Sequence, residues 1–334
     1  MSSRWRGVKS SKANLVLFTV GIFLIVLSGL WRFTIAPAIR VVATDLDLVR
    51  FYDGHLSDFV RPPGQPPVGP TPINYSVTIQ SKESNPVGRS TTSVAVIEVQ
   101  SAVIDSASRK HLSDDTSLFA VDRQNAQQVR DHGADQNRAG YYLVFPFDTP
   151  KANIPIWDPT TGKAQKGTFV KQEKFDGVTV YVFKVAYAGQ PAVQPAGYPK
   201  QVTGAELKSM LSDPALPVAD GDTINIEYKA NESIEYIVEP IGGTLVSMTD
   251  AAGSVYMSAT IPGPPTAGVA TLALTQVVSK LDFTETPTSQ QTAATFASDE
   301  IKKIDLQYDY LPIGFLILGI VCTLIGWFTA IKEE

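Results

Sequence analysis

Apolar residues are distributed along this chain in distinct ways, and each predicts a different kind of element. Near the start, Leu15 to Leu30 (LVLFTVGIFLIVLSGL) contains no charge. Counted from Ala13 to Trp31 as a helix it rises about 28 Å, close to the roughly 30 Å hydrocarbon core of a bilayer. Near the end, Leu311 to Ile331 has 21 uncharged residues, with Tyr308, Tyr310 and Trp327 where amphipathic rings favour the membrane interface. Transmembrane helices are expected at 13–33 and 311–331.

The stretch between them has a different period. Ile73, Tyr75, Val77 and Ile79 alternate with polar neighbours, and Ile224, Ile226, Tyr228, Ile234, Tyr236 and Val238 do the same, which predicts half-buried antiparallel strands. Turn signals at Pro240-Ile-Gly-Gly243 and Asp250-Ala-Ala-Gly253 divide 222–283 into a meander. Thr92 to Ile104 and Val178 to Tyr187 are apolar on both faces, so these strands are expected to be covered on two sides. Helix is scarcer. Thr203-Gly-Ala-Glu206 is a capping-box pattern opening a short helix before Pro214, and Asp115 to Asp131 is expected to hold another. Thr288-Ser-Gln-Gln291 resembles a second capping box, for a helix running into the second span with a kink at Pro312. Arg61 to Pro72 has six prolines and reads as an extended surface strap. The expected fold class is α+β, mainly antiparallel β, with a large extracytoplasmic domain between an N-terminal and a C-terminal transmembrane helix.

Basic residues give the orientation. Arg4, Arg6, Lys9 and Lys12 all lie in the first twelve residues, whereas Arg32 and Arg40 are the basic residues close after the first span. The positive-inside rule then makes 1–12 a cytoplasmic tail, 40–308 an extracytoplasmic domain and 332–334 a cytoplasmic stub. A rival is a cleaved signal peptide, since Ala36-Pro37-Ala38 has the small-x-small form of a processing site, although proline is awkward there.

Composition narrows the class. The chain has 334 residues, 44% hydrophobic and 18% charged, with net charge −5 and pI near 5.3. That suffices for a large core and excludes a nucleic-acid partner, which needs a basic footprint to collect phosphates. The single cysteine, Cys322, falls inside the second span, so no disulfide forms within the chain. An exported domain without disulfides suits a bacterial envelope, and the plasma membrane is the expected location. The sequons at Asn74 and Asn231 then read as chance.

The usual catalytic constellations do not occur: the sequence has no GxSxG elbow, no complete phosphate loop and no GxGxxG. His55, His111 and His132 lack partners at metal-ligand spacing. Asp45-Leu-Asp47 has a DxD form, but no nucleotide-binding βαβ pattern surrounds it. Asp131, Asp135 and Asn137 offer oxygens to a cation, though an exposed polar turn explains them better. No catalytic group, metal or cofactor is expected.

The most singular stretch is VFPFDTPKANIPIWDPTTGK, Val144 to Lys163, with two phenylalanines, a tryptophan and four prolines. Asp158-Pro159-Thr-Thr-Gly162 is a turn by its chemistry, and Phe145, Phe147, Ile154, Ile156 and Trp157 are expected to bury a corner. Phe145, Phe147, Asp148, Trp157 and Asp158 are also the candidate contacts for a glycan or lipid, since rings beside carboxylates are one way sugars are gripped.

PFDTPKANIPIWD, the VTVYVFKV strand and the VEPIGG turn (Val238 to Gly243) resemble the PorA-type family of actinobacterial two-span envelope proteins, although Ile154 stands where tyrosine is expected. The resemblance implies an envelope role, and maturation of lipoglycans has been associated with members. The porin label itself fits poorly, because a pore through an outer membrane needs a closed barrel with a lipid-facing apolar band.

The first functional expectation is a non-enzymatic protein whose outer domain binds or shelters a glycolipid or lipid-linked glycan and assists lipoglycan assembly, with membrane lipid as its surroundings. The alternatives are an accessory or scaffold subunit of a larger membrane assembly, a glycosyltransferase group or a respiratory complex, contacting other envelope proteins, and a glycan-modifying enzyme using carboxylates such as Asp148 and Asp158. The last needs two carboxylates about 5 to 9 Å apart across a cleft. Neither span has a GxxxG pair, so helix contacts are expected to rest on ordinary packing.

Overall fold

The alternating stretches become strands of one antiparallel sheet. In chain order these are β1 (Asp47–Asp58), β2 (Ile73–Ser84), β3 (Val94–Asp105), β4 (His111–Asp122), β5 (Ile154–Asp158), β6 (Lys163–Phe175), β7 (Val178–Pro191), β8 (Gln201–Thr203), β9 (Thr223–Glu239), β10 (Thr244–Pro262) and β11 (Thr271–Glu285). Their lateral order is β4-β3-β2-β1-β11-β10-β9-β7-β6-β5, with β8 paired to β9. The computed structural model describes residues 4–69, 71–262 and 271–331; Pro70 in the proline-rich strap and the 332–334 stub lie outside the described residues, as do 1–3 of the basic tail. Two compact units result: Val42–Ala297, and a second formed by the chain up to Val41 with that from Ser298 onward.

The sheet curls into an antiparallel half-barrel. Trp157 of β5 stands at one end of the strand order, yet it packs in the same buried cluster as Ala95, Ile97 and Phe119 of β3 and β4 at the other end. Tyr141 to Val144 and Phe147 fill the gap between these ends. Arg138 braces the same place, its guanidinium 4.0 Å from the Phe119 ring centre while it donates to the Leu118 carbonyl at 2.6 Å. Long twisted strands curl readily, and register shifts within β6, β7 and β10 add local bends.

Within this frame the family-like motifs meet. The Phe145 amide donates to the Gly243 carbonyl at 2.8 Å, and the Thr149 amide to Pro240 at 2.8 Å, so PFDT lies along the VEPIGG turn. Glu239, fully buried, closes that turn by accepting from the amides of Ile241 and Gly242, both at 2.6 Å.

Helix α3 (Gly204–Leu211) has the expected capping box, with Thr203 and Glu206 capping reciprocally. Three expectations are corrected. Asp115 to Asp131 is not helical but forms the end of β4 and a turn, because Asp122 pairs with Val94 and its carboxylate accepts from the Gln124 amide at 2.8 Å. Helix α4 (Pro287–Asp305) is capped by Thr286 rather than Thr288: proline takes the first helical position, where its missing N–H costs nothing, and the Thr286 hydroxyl bonds that of Ser289 at 3.1 Å. Asp250 to Gly253 is not a reversal but a bulge inside β10.

The second unit joins α1 (Arg4–Leu30), which continues into the short α2 (Ala36–Ile39), to α5 (Leu311–Ile331). Small residues permit a close approach that the absence of GxxxG concealed. A Cβ on Gly21 would fall 2.5 Å from the Thr323 nitrogen, and one on Gly319 would fall 2.8 Å from the Gly21 oxygen. Both helices loosen into a π turn, Trp31–Ile35 and Leu306–Tyr310, just before Pro37 and Pro312. Pro312 lacks the amide that would bond back to this turn, and side chains from the first π turn replace it. The Trp31 indole donates to the Gln307 carbonyl at 3.0 Å and Arg32 to that of Tyr308 at 2.5 Å.

Candidate functional site

The inner face of the half-barrel holds two adjoining cavities of about 300 and 200 Å³, which share Tyr142, Met248, Leu281 and Phe283 as walls. Most of both linings is apolar. Their charged groups are few: Glu83 in the smaller, and Asp158, Glu232 and Asp250 in the larger.

The smaller cavity ends at Glu83. This carboxylate belongs to a buried ionic cluster: Arg50 Nε lies 3.0 Å from Glu83 Oε1, and its Nη1 lies 2.9 Å from Glu285 Oε1. Arg50 Nη2 also donates to the Leu245 carbonyl at 2.6 Å, and Glu285 Oε2 accepts from the Met248 amide at 3.2 Å. Burial works against the charge of Arg50, but Glu83, Tyr52 and Glu285 outweigh it and its pKa rises. Burial raises Glu285 despite the opposing pull of Arg50. Three neighbouring strands are tied together here from within. The signal was present in the sequence: Leu48, Arg50 and Tyr52 share one phase of β1, and Ile79 shares its phase with Glu83, so a charge in an apolar phase marks each partner.

The larger cavity has a carboxyl-rich end formed by Asp158, Glu232 and Asp250. Asp158 is 1% exposed and is held by its turn, accepting from the Thr160 amide at 2.9 Å, the Thr161 hydroxyl at 2.6 Å and the Tyr187 hydroxyl at 2.5 Å. Burial first, then the hydrogen bond to Asp158, raises the Tyr187 pKa. Asp250 reaches the cavity through the bulge. Five residues of β10, 249–253, stand opposite four of β9, 232–235, and the extra residue swings Asp250 inward beside Glu232. Gly253 closes the bulge over the pair, where any Cβ would lie 2.3 Å from Asp250 Oδ2 and 2.6 Å from the Leu281 oxygen. Two carboxyl groups in hydrogen-bond contact share a proton, and desolvation together with Asp250 pushes Glu232 up to about 9. Glu232 is 8% exposed, and no N–H or O–H among the described residues donates to its Oε2.

The residues singled out from sequence are dispersed. Phe145 and Trp157 are buried in separate core clusters, with Phe147 half-buried against that of Trp157. Asp148 is exposed, in a left-handed conformation with φ of 54°, and is not a cavity wall. Of the five, Asp158 alone lines the larger cavity. Asp148 and Asp158 therefore do not face each other across it. Asp45 and Asp47 are exposed, and Asp135 pairs with Arg138 at 2.7 Å. Sequence reasoning missed Glu232 and Asp250. Glu232 was visible as a charge in phase with Tyr228, Ile234 and Tyr236, whereas Asp250 looked like an ordinary turn residue.

An antiparallel half-barrel lined by apolar cavities, in a chain with a helix at either end that is long and apolar enough to cross a membrane, defines an α+β protein whose composition suggests membrane anchoring. The chain belongs to the Porin PorA family, whose family model matches residues 13–328. No curated protein matches it.

Proposed function

We propose that this protein is a membrane-anchored, non-enzymatic carrier whose half-barrel shelters the apolar part of a glycolipid or lipid-linked glycan, and that it assists lipoglycan assembly on the outer side of the bacterial plasma membrane. The observation that carries this reading is the pair of adjoining, mainly apolar cavities inside a sheet that is otherwise well packed. The larger, at about 300 Å³, stands at the lower bound of ligand pockets, which typically run from about 300 to 1,000 Å³. Catalysis is not invoked, because Asp158 and the Arg50 cluster are tied up by internal partners.

A pore is a weaker reading of the same sheet. Lys166, Thr168, Lys171, Gln172 and Lys174 of β6 are exposed, a surface suited to water rather than to acyl chains. Large exposed apolar residues concentrate in the terminal helices; among the described residues of the sheet unit they are the scattered Phe51, Val87, Val170, Val193 and Leu272.

The test is mass spectrometry of lipids that co-purify with the native chain and with Leu281→Trp, which fills the wall shared by both cavities. The native protein is expected to carry a defined amphiphile that Leu281→Trp loses while keeping its fold. Identical lipid profiles from the two proteins would overturn the reading.

A further inference from the structure

We infer that the Glu232–Asp250 pair is the head-group selector of this cavity, accepting hydrogen bonds from an uncharged, hydroxyl-bearing group such as a sugar and rejecting anionic groups such as phosphate. The inference rests on the carrier reading above and adds to it the residues and the ligand class.

Position gives the first argument. Glu232 and Asp250 are 8% and 4% exposed, yet both line a cavity of about 300 Å³ instead of packing against apolar atoms on every side. Such burial is costly for a carboxyl group unless donors compensate it. Asp158 at the same end has three donors of its own, whereas Glu232 Oε2 has none among the described residues. The Asp250 carboxylate accepts the Ala252 amide at 3.1 Å. The Thr160 side chain also hydrogen-bonds Glu232, so Oε2 is the atom left for a donor arriving from the cavity.

Charge gives the second. With one shared proton the pair keeps one negative charge, and the neighbouring Asp158 adds to it. No lysine or arginine lines this cavity. An anion entering here would meet repulsion in a medium of low dielectric, where it is strongest. A hydroxyl meets acceptors, and Thr160, Ser254 and Ser279 in the same wall extend the polar surface available to a second or third hydroxyl. The apolar side, with Leu56, Ile234, Val255 and Leu281, suits an attached chain. The groups that face Glu232 are Asp250, Asp158 and Thr160, and its raised pKa agrees with a pair that retains a proton at neutral pH.

The test uses the full chain in amphipol and an environment-sensitive apolar dye bound to the half-barrel. The dye is displaced at pH 7 by octyl glucoside or octyl phosphate, each below its micelle concentration. Octyl glucoside is expected to displace it at concentrations at least tenfold lower than octyl phosphate. Glu232→Leu combined with Asp250→Leu removes the acceptors and the charge of the pair together and should erase most of that preference, read as the ratio of the two displacing concentrations. Should that variant fail to fold, Glu232→Gln combined with Asp250→Asn is read in its place, since two amides keep the shape and carry no charge. Equal displacement by glucoside and phosphate in the native chain, or a preference undiminished in the variant that folds, overturns the selector. Failure of the dye to bind the native chain overturns the carrier reading itself, so the two failures are told apart.

Discussion

Arg50→Met tests whether the half-barrel is held from within by charge. The substitution keeps the stem and removes the guanidinium, leaving Glu83 and Glu285, 4% and 1% exposed, as two buried carboxyls facing each other across a vacated site. The Leu245 carbonyl also loses its donor, which sits at 2.6 Å. Breaking a buried ion pair by deleting one partner costs about 3–5 kcal/mol. At about 4 kcal/mol the unfolded fraction rises roughly a thousandfold, since each 1.36 kcal/mol is a factor of ten. Trp157 reports the loss: it is 5% exposed in the core of the sheet unit, while Trp5, Trp31 and Trp327 lie in the terminal helices and give a constant background. Urea unfolding of the full chain, followed by tryptophan fluorescence, should show the shift at pH 7.5. The deficit should be smaller at pH 5. Burial already raises Glu285 in the native chain, and without Arg50 it rises further, so the folded variant holds a proton that the unfolded chain releases. Its stability is fullest below the ordinary carboxylate pKa and falls as pH rises. Replacing all three charges by Met, Leu and Leu should recover most of the loss, because apolar side chains leave nothing unpaired. A single variant within 1 kcal/mol of native, or a triple variant as unstable as the single, would refute the argument; the first threshold is about a third of the smallest expected cost.

Three further outcomes follow from the same geometry. Glu232 has its folded pKa raised to about 9 from an ordinary value of 4.5, so it costs stability increasingly as pH climbs through that window; Glu232→Gln should gain on the native chain between pH 5 and pH 8.5 in urea titrations, and a constant difference would count against the assignment. Thr203→Ala removes one half of the α3 capping box and should cost about 1 kcal/mol by the same measurement, with the sheet registers unchanged in backbone NMR shifts. Lys163 is exposed at the start of β6, so in a Cys322→Ser background Lys163→Cys should react with a membrane-impermeant maleimide on intact spheroplasts; labelling only after lysis would reverse the proposed topology.

Much was legible in the sequence because it is local. Two uncharged runs gave the terminal helices, a period of two gave β2 and β9, and Asp158-Pro-Thr-Thr-Gly162 formed its turn, with the carboxylate accepting the Thr160 amide and Gly162 at φ of 64°. The capping box at Thr203 is equally local. The errors share a cause. Asp250-Ala-Ala-Gly253 has the same local hydrogen bond a turn would have, from the Ala252 amide to Asp250, and only pairing with β9 and β11 on either side makes it a bulge. Asp115 to Asp131 lost its expected helix to the pairing of β4 with β3.

By itself the sequence determined what periodicity and short-range chemistry can determine: that the cleanly alternating segments are strands, that the two uncharged runs are long helices, and which charges stand in an apolar phase. Tertiary structure alone decided that the sheet curls until Trp157 meets Phe119, that Arg50 finds both Glu83 and Glu285, and that Glu232 and Asp250 meet at one end of a cavity. Those contacts join residues up to 235 positions apart in the chain, as Arg50 and Glu285 are. Their energy comes from burial and from mutual satisfaction of polar groups, neither of which exists until the strands have closed around them.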